Sequence, residues 1–299
     1  MRSVLARLRD FRVWCLVSAA VLSAAALTAP TVRMNRSVYH YFIVFDITQS
    51  QNAEDYVLDG KPVSRLAFAK HAARAAIRDL PCGSSVGIGL FSAYDSSDMA
   101  MMMGDEGGWS ARMPREPSVL APLFGPIEVC RNFFAIDRTI QAIDWRMAWS
   151  DASDITGGLY ATINKAKALN GRTKVVFFTE GEPYVAYGGG DNFRPFSGAK
   201  REVKGLLVGV GGLVPAQIPK FDDLGNRKGF LATRSRLDES FLRRLEAETG
   251  LRYVRLLSAA QFSADLRAAE FAEREEVDVD IRLPLGALAL ILVLLAVLL

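Results

Sequence analysis

YFIVFDITQSQN, residues Tyr41 to Asn52, is the stretch that decides the fold class of this chain. It opens with an apolar run, Tyr41 to Phe45, that is rich in aromatic and β-branched side chains. A run of this kind without polar alternation predicts a strand buried on both faces of a sheet. Asp46, Thr48 and Ser50 follow at alternate positions. Open α/β sheets place their sites at the carboxyl ends of strands, so a site is expected here.

The three oxygen-bearing side chains that follow this strand allow two interpretations. A carboxylate followed by two hydroxyls on a tight loop suits a small hard cation such as Mg²⁺, which prefers oxygen ligands and usually keeps several waters. The other interpretation is a turn in which the same side chains only cap the following segment. The stretch alone leaves both open, and the downstream chain must decide between them.

Further buried strands alternate with helices along the chain. This alternation predicts an α/β fold with a doubly wound, mostly parallel sheet and helices on both faces. The segment 93–129 has little periodicity and is predicted to be a long functional loop. The predicted strands span 86–91, 174–179 and 203–210, and the predicted helices span 62–80, 131–149, 237–249 and 258–273.

The two ends of the chain carry apolar segments. Within residues 1–30, arginines precede an apolar stretch, which predicts a signal anchor or a cleaved signal peptide. Residues 283–299 carry no charge and predict a carboxy-terminal transmembrane helix, with 271–282 as a juxtamembrane stem. Because the arginines should stay cytoplasmic, the globular part, residues 38–270, is expected on the periplasmic side of a bacterial cytoplasmic membrane.

Composition argues against two classes of function. The net charge of +3 and the lack of a basic stripe with interleaved aromatics argue against a nucleic-acid partner. The chain has only two histidines, His40 and His71, and neither forms a recognisable pair with a nucleophile. A hydrolase built on a histidine base is therefore not expected, and we predict that the chain is not an enzyme.

Two cysteines, Cys82 and Cys130, fall in the globular part of the chain. An even pair in an oxidising compartment is a disulfide candidate. The alternative is a pair of buried free thiols.

Two later stretches resemble parts of a known site. Together with Asp46-x-Thr48-x-Ser50, the stretches DASDITGGL, which ends at Leu159, and TEGEP, which contains Glu180, resemble the three loops of the metal-ion-dependent adhesion site in von Willebrand factor type A domains. The resemblance covers most of the chain between its apolar ends. It implies Mg²⁺, or Mn²⁺ or Ca²⁺, at a site that binds a carboxylate of a protein partner.

The resemblance also implies a ligand set. Asp46, Thr48 and Ser50 form the first loop, and Ser153, six residues before Leu159, matches the second-loop hydroxyl. Thr156 is the second choice for that hydroxyl. Glu180 stands where the family has aspartate. Its longer side chain leaves open whether it binds the metal directly, binds through water, or weakens the site.

A narrower resemblance concerns the partner. DITQS, LPCGS, DWRMAW and LLVGVGG are similar to the membrane-linked von Willebrand A proteins of methanol dehydrogenase gene clusters, the MxaL type. This implies an accessory factor in the assembly of methanol dehydrogenase, including its calcium insertion, and implies the enzyme or its accessory proteins as partners. The alternative is a metal-independent interaction scaffold of the aerotolerance or MoxR-associated type.

Overall fold

The computed structural model describes residues 11–92, 119–148, 154–182, 193–222 and 225–298. The chain forms two compact units. The larger unit spans Val38–Ala272, and the smaller combines the residues up to Ser37 with those from Glu273 onward.

The chain alternates strands and helices through most of its length. The strands are β1 (Thr31–Val38), β2 (His40–Asp46), β3 (Tyr56–Leu58), β4 (Lys61–Val63), β5 (Ser85–Phe91), β6 (Leu120–Glu128), β7 (Lys174–Thr179), β8 (Gly205–Gly209), β9 (Ala216–Phe221), β10 (Arg227–Ser235), β11 (Arg252–Arg255) and β12 (Glu273–Asp280). The helices are α1 (Phe11–Leu27), α2 (Arg65–Arg78), α3 (Val129–Ala142), α4 (Ile155–Asn170), α5 (Glu239–Thr249), α6 (Ala259–Leu266) and α7 (Arg282–Leu298).

A six-stranded sheet in the order β11-β8-β7-β2-β5-β6 forms the centre of the larger unit. The neighbouring strands from β11 to β5 run parallel, and β6 pairs antiparallel with β5 at the edge. The predicted mixed α/β class with a mostly parallel sheet is therefore confirmed. Because β2 lies between β7 and β5, every residue of this strand is buried, as its apolar run predicts.

The two faces of β2 contribute to two hydrophobic clusters. Tyr41, Ile43 and Phe45 pack into a cluster with α2, α3 and α6. Phe42 and Val44 pack on the opposite face with α4 and α5. Helices thus cover both faces of the sheet. Each fully buried aromatic or aliphatic side chain stabilises the fold by roughly 1.5–3 kcal/mol.

Three expectations drawn from the sequence are wrong in detail. Pro62 does not open a helix, because it lies in β4, which pairs with β3 around the turn at Asp59 and Gly60. The helix instead begins at Arg65, with the Ser64 hydroxyl capping the backbone N–H of Ala67. The helix predicted for 131–149 spans only Val129–Ala142, and the one predicted for 258–273 ends at Leu266.

The segment 93–129 is not loop throughout. Residues 93–118 lie outside the described part of the chain, but Leu120–Glu128 forms the edge strand β6. The sequence did not predict this strand because it contains Pro122 and Pro126. Proline has no backbone N–H to donate to a neighbouring strand, so its presence argues against a strand. An edge strand tolerates proline because one of its sides has no neighbouring strand, and the register shifts in this pairing mark the same irregularity.

The smaller unit consists of α1, β1, β12 and α7. Strands β1 and β12 pair in a two-stranded sheet, and the two helices pack against each other. The stem expected at 271–282 is therefore largely a strand, whose alternating exposure follows the E-R-E-E-V-D-V-D sequence. Within the described ranges, none of the helices, including the 17-residue α7, has both the length and the apolarity needed to cross a membrane.

Cys82 and Cys130 form a disulfide, with Cα atoms 5.3 Å apart. The bond joins the loop after α2 to the first turn of α3. Both cysteines are exposed, so the bond lies at the surface of the larger unit.

Replacing Cys82 and Cys130 together by alanine is expected to lower the free energy of unfolding by about 4 kcal/mol. The bond closes a loop between residues 48 positions apart, and the cost follows from the chain entropy that such a loop removes from the unfolded state. Urea unfolding of the wild type, the double variant and a Cys15→Ala control measures the difference. A double variant as stable as the control would contradict the expectation.

Candidate functional site

Asp46 is the centre of a polar cluster at the carboxyl edge of the sheet. It ends β2 and is only 2% exposed. Its Oδ1 accepts hydrogen bonds from the backbone N–H of Thr48 (3.0 Å) and from the Thr48 hydroxyl (2.6 Å). Its Oδ2 accepts a hydrogen bond from the hydroxyl of Thr179 (2.8 Å), the last residue of the neighbouring strand β7. The parallel pairing of β2 with β7 brings these residues together.

Glu180, the residue directly after β7, is the second carboxyl group of the cluster. The Ser50 hydroxyl donates to its Oε1 (2.7 Å), and the side-chain amide of Gln51 donates to its Oε2. The Thr48 and Ser50 hydroxyl oxygens are 3.1 Å apart, so the groups bound to the two carboxyl groups are in contact with each other. Glu180 therefore reaches the first loop despite standing where the resembled family has aspartate.

The two carboxyl groups affect each other's ionisation. Burial raises the pKa of Asp46, and the hydrogen bonds from Thr48 only partly oppose this effect. Burial, together with the negative charge of Asp46, raises the pKa of Glu180 to about 8. A hydrogen bond from Glu180 favours the ionised form of Asp46. Without a cation, the two raised pKa values thus favour one proton on this pair of carboxyl groups at neutral pH, and the negative charge of Asp46 favours Glu180 as the protonated group.

The backbone around Glu180 is fixed by a glycine. Gly181 has φ +80°, and a Cβ atom added to it would lie 2.6 Å from Cγ of Leu242 and 2.9 Å from the backbone oxygen of Asp238. The Glu180 carbonyl also accepts a hydrogen bond from the backbone N–H of Asp238 (2.9 Å). Only glycine suits this turn, because it combines a left-handed conformation with close backbone approach. The turn holds the Glu180 side chain at the sheet edge.

The amino terminus of α4 lies against the same edge. Its cap is Asp154, whose Oδ1 accepts the backbone N–H of Gly157 (2.9 Å) and whose Oδ2 binds Arg194. In its first turn, a Cβ atom added to Gly158 would lie 2.2 Å from two ring carbons of Phe91. Phe91 pairs with Asp46 across β5 and β2. The first turn of α4 is therefore close to the Asp46 end of the sheet.

Thr156, the second choice for the second-loop hydroxyl, lies in this first turn. Its side chain is 1% exposed, and its Oγ1 has no hydrogen-bond partner among the residues that the structure describes. A buried hydroxyl without a partner is costly and calls for an explanation. Ser153, the first choice, lies outside the described residues.

Sequence reasoning missed three polar residues at this edge. Thr179 and Gln51 bind the carboxyl groups directly, although the position of Thr179 just before Glu180 was a usable signal. Arg65 is fully buried and binds Asp55 through Nε and Nη2, the latter at 2.7 Å. Its positive charge lowers the pKa of Glu180, opposing the effect of burial in part.

Comparison with solved structures places the fold among known ones. The fold is similar to that of an aerotolerance-related membrane protein from Bacteroides fragilis NCTC 9343, crystallised with multiple mutations to serine. The TM-score is 0.50 at 17% identity, over 76% of this chain and 96% of that chain. At this identity the likeness concerns the fold alone.

Other comparisons add little. The conserved hypothetical protein BatB from Bacteroides thetaiotaomicron matches with a TM-score of 0.49 and 18% identity, over 77% of this chain and 96% of that chain. No protein-family model and no curated protein matches the sequence. The von Willebrand A assignment and its metal ligands therefore remain predictions from the sequence.

The chemistry of the cluster fits a hard divalent cation. The groups available around Asp46 and Glu180 are carboxylate and hydroxyl oxygens, the ligands that Mg²⁺, Mn²⁺ and Ca²⁺ prefer. Two buried carboxyl groups in one cluster favour a positive charge beside them. The buried Thr156 hydroxyl offers a further oxygen at the same edge. The residues that could hold such an ion are thus Asp46, Thr48, Ser50, Glu180 and Thr156.

Proposed function

We propose that this chain binds a protein partner through a divalent cation at the carboxyl edge of its sheet. The observation that carries the proposal is the buried cluster in which Thr48 donates to Asp46, Ser50 donates to Glu180, and the two hydroxyl oxygens lie 3.1 Å apart. Two carboxyl groups that are 2% and 1% exposed are costly to keep ionised together without a cation.

Each group has a role in this proposal. Asp46 supplies the buried carboxylate, the hydroxyls of Thr48 and Ser50 supply neutral oxygens, and Glu180 supplies a second carboxylate. Thr156, in the first turn of α4, or Ser153, which precedes that helix in the sequence, supplies a further hydroxyl. A bound Mg²⁺ would supply a Lewis-acidic coordination position that a carboxylate of a partner protein can fill. This is binding chemistry and includes no catalytic step, so we propose a non-enzymatic role.

The finer identity of the partner rests on sequence resemblance. The motifs shared with the MxaL type support methanol dehydrogenase, or its accessory proteins, as the partner, and an assembly role that includes calcium insertion. The apolar segments at both ends of the chain support a membrane-anchored protein with its larger unit on the periplasmic side. An exposed disulfide suits an oxidising compartment of this kind.

A metal-independent interaction scaffold is the second candidate. Hydrogen bonds within the protein already satisfy both oxygens of Asp46 and both oxygens of Glu180. The cluster could therefore serve as a structural tie between the strand ends, with Glu180 protonated. The fold shared with an aerotolerance-related membrane protein is compatible with this candidate.

Affinity capture of the full-length, detergent-solubilised protein separates the two candidates. The capture is performed with Mg²⁺ and with chelator, and the bound proteins are identified. Under the first candidate, methanol dehydrogenase subunits or accessory proteins are recovered only with Mg²⁺. Recovery of the same partners in chelator would favour the scaffold. Unrelated partners would contradict the methanol dehydrogenase assignment.

A further inference from the structure

A cleft of about 630 Å³ lies at the edge of the sheet opposite to the Asp46 cluster. Gly205 and Arg252, which begin the parallel strands β8 and β11, line it, whereas Asp46 and Glu180 lie at or beyond the carboxyl ends of β2 and β7. The end of α5 and the residues just before β8 form its other walls. The cleft is therefore separate from the proposed metal site, and ligand binding to it can be tested independently of metal binding.

Cationic side chains outnumber anionic ones around this cleft. Four cations line it, together with two carboxylates. Both carboxylates are already engaged within the protein. Glu270 binds Arg252 (3.0 Å), and Glu246 accepts the backbone N–H of Tyr253 (2.9 Å) and binds Arg243 (3.1 Å). The four cations are Lys200, Arg201, Lys204 and Arg252.

Several donors of these cations remain available. In the described part of the chain, neither Lys200 nor Arg201 has an ion-pair or side-chain hydrogen-bond partner. Lys204 makes one contact, from Nζ to the backbone oxygen of Glu270 (3.2 Å), which leaves two of its three N–H groups. Arg252 is already paired with Glu270 through Nη1 and with Asp265 through Nη2 (both 3.0 Å), and its Nε is buried, so it adds no available donor. Lys200, Arg201 and Lys204 thus give the cleft an excess of positive charge and of unused N–H donors.

The backbone holds Arg201 at this position under strain. Its φ is +64°, a conformation that non-glycine residues adopt rarely and at a cost of order 1–3 kcal/mol. Its backbone N–H donates to the Thr249 carbonyl (2.9 Å). Its side chain packs against Gly250 so closely that a Cβ atom added to Gly250 would lie 2.4 Å from Cγ of Arg201. Glycine would fit this conformation without strain. An arginine here is therefore better explained by its guanidinium group than by local folding.

We propose that the cleft binds a phosphate-bearing small molecule. Guanidinium and ammonium donors around one space match the oxygens of a phosphate group. The volume exceeds what an inorganic phosphate fills and lies in the range of small-molecule pockets, so the phosphate belongs to a larger ligand.

Titration calorimetry of the full-length protein with inorganic phosphate and with pyrophosphate tests this proposal. Arg201→Gln and Lys200→Gln are each expected to weaken binding about tenfold, the effect of one lost charge-assisted hydrogen bond. Lys61→Gln removes the same charge from the exposed strand β4 and should leave the affinity unchanged. Arg201→Gly should also lose binding, but without a lower Tm, because glycine relieves the strained φ.

Further measurements identify the source of the phosphate group or overturn the proposal. Vesicles of phosphatidylcholine with and without phosphatidic acid distinguish a lipid headgroup from a free phosphate: an increase in binding with phosphatidic acid that Arg201→Gln removes would identify the headgroup as the source. Absence of binding to every phosphate probe overturns the proposal. Equal binding of polyglutamate, lost in the same variants, overturns it in favour of an acidic peptide. Variants that lower Tm but leave phosphate affinity unchanged show that the cations only stabilise the carboxyl end of α5.

Discussion

Replacing Asp46 by alanine is expected to lower the affinity for Mg²⁺ or Mn²⁺ by on the order of 100-fold or more while the sheet stays folded. The variant removes the carboxylate around which Thr48 and Thr179 are arranged. A loss of metal-dependent partner capture should follow. Calorimetric titration of the wild type and the variant with Mn²⁺ measures the first effect, and circular dichroism checks the fold.

Two further variants make the Asp46 result interpretable. Alanine leaves the donors of Thr48 and Thr179 without an acceptor, which costs about 1–3 kcal/mol each if they stay buried. Asp46→Asn keeps the acceptor for Thr48 and removes the charge, while its NH2 group faces the Thr179 hydroxyl, which can turn to accept from it. It should therefore lose metal affinity at a smaller cost in stability than alanine. Glu54→Gln removes an exposed carboxylate from the same loop and should leave metal affinity intact. Wild-type affinity in Asp46→Asn would contradict the proposed site.

The metal-free protein is expected to lose stability as the pH rises from about 5 to about 8. Burial and the Asp46 charge raise the pKa of Glu180 to about 8, against 4.5 in its ordinary state. Between these values the folded state binds more protons than the unfolded state, so stability falls with increasing pH and is constant above the folded pKa. We expect a loss of roughly 3 kcal/mol across this range.

Urea unfolding in chelator at several pH values measures this loss. Glu180→Gln should reduce the decline between about pH 6 and 8, because it removes the carboxyl group whose pKa is about 8. Glu182→Gln removes a carboxylate two residues further along and should keep the decline. Saturating Mg²⁺ should also remove the decline in the wild type, because a cation favours the ionised form of Glu180. A flat profile in the metal-free wild type would show that Glu180 is ionised without a cation.

The sequence predicted the central strands because their burial leaves a local signature. Tyr41 to Phe45 and the runs that became β5 and β7 are apolar without alternation, and each lies between two neighbours in the sheet. The edge strand β6 and strand β12 of the two-stranded sheet lacked this signature. Strand β6 contains two prolines, and β12 is almost entirely charged. Both are stabilised by pairing partners far away in the chain, which a local pattern cannot reveal.

The residues of the candidate site that directly follow a buried strand could be predicted from the sequence. Asp46, Thr48 and Ser50 share one loop, and Glu180 follows the strand next to β2, so the structure brings these four together. The hydrogen bond from Gln51 to Glu180 joins residues 129 positions apart and has no local signal. The same holds for Arg65, which is fully buried and binds the Ser235 hydroxyl, 170 positions away in the chain.

Diffraction from crystals grown with Mn²⁺ tests the central claim most directly, because the anomalous signal locates the ion. The proposal predicts one Mn²⁺ peak among Asp46, Thr48 and Ser50, with oxygen ligands at roughly 2.0–2.3 Å, a hydroxyl of Ser153 or Thr156 beside it, and the Ser50–Glu180 hydrogen bond rearranged. A crystal without a peak there, in which Ser50 and Gln51 still donate to Glu180, would contradict the metal site and leave the polar cluster as a structural tie.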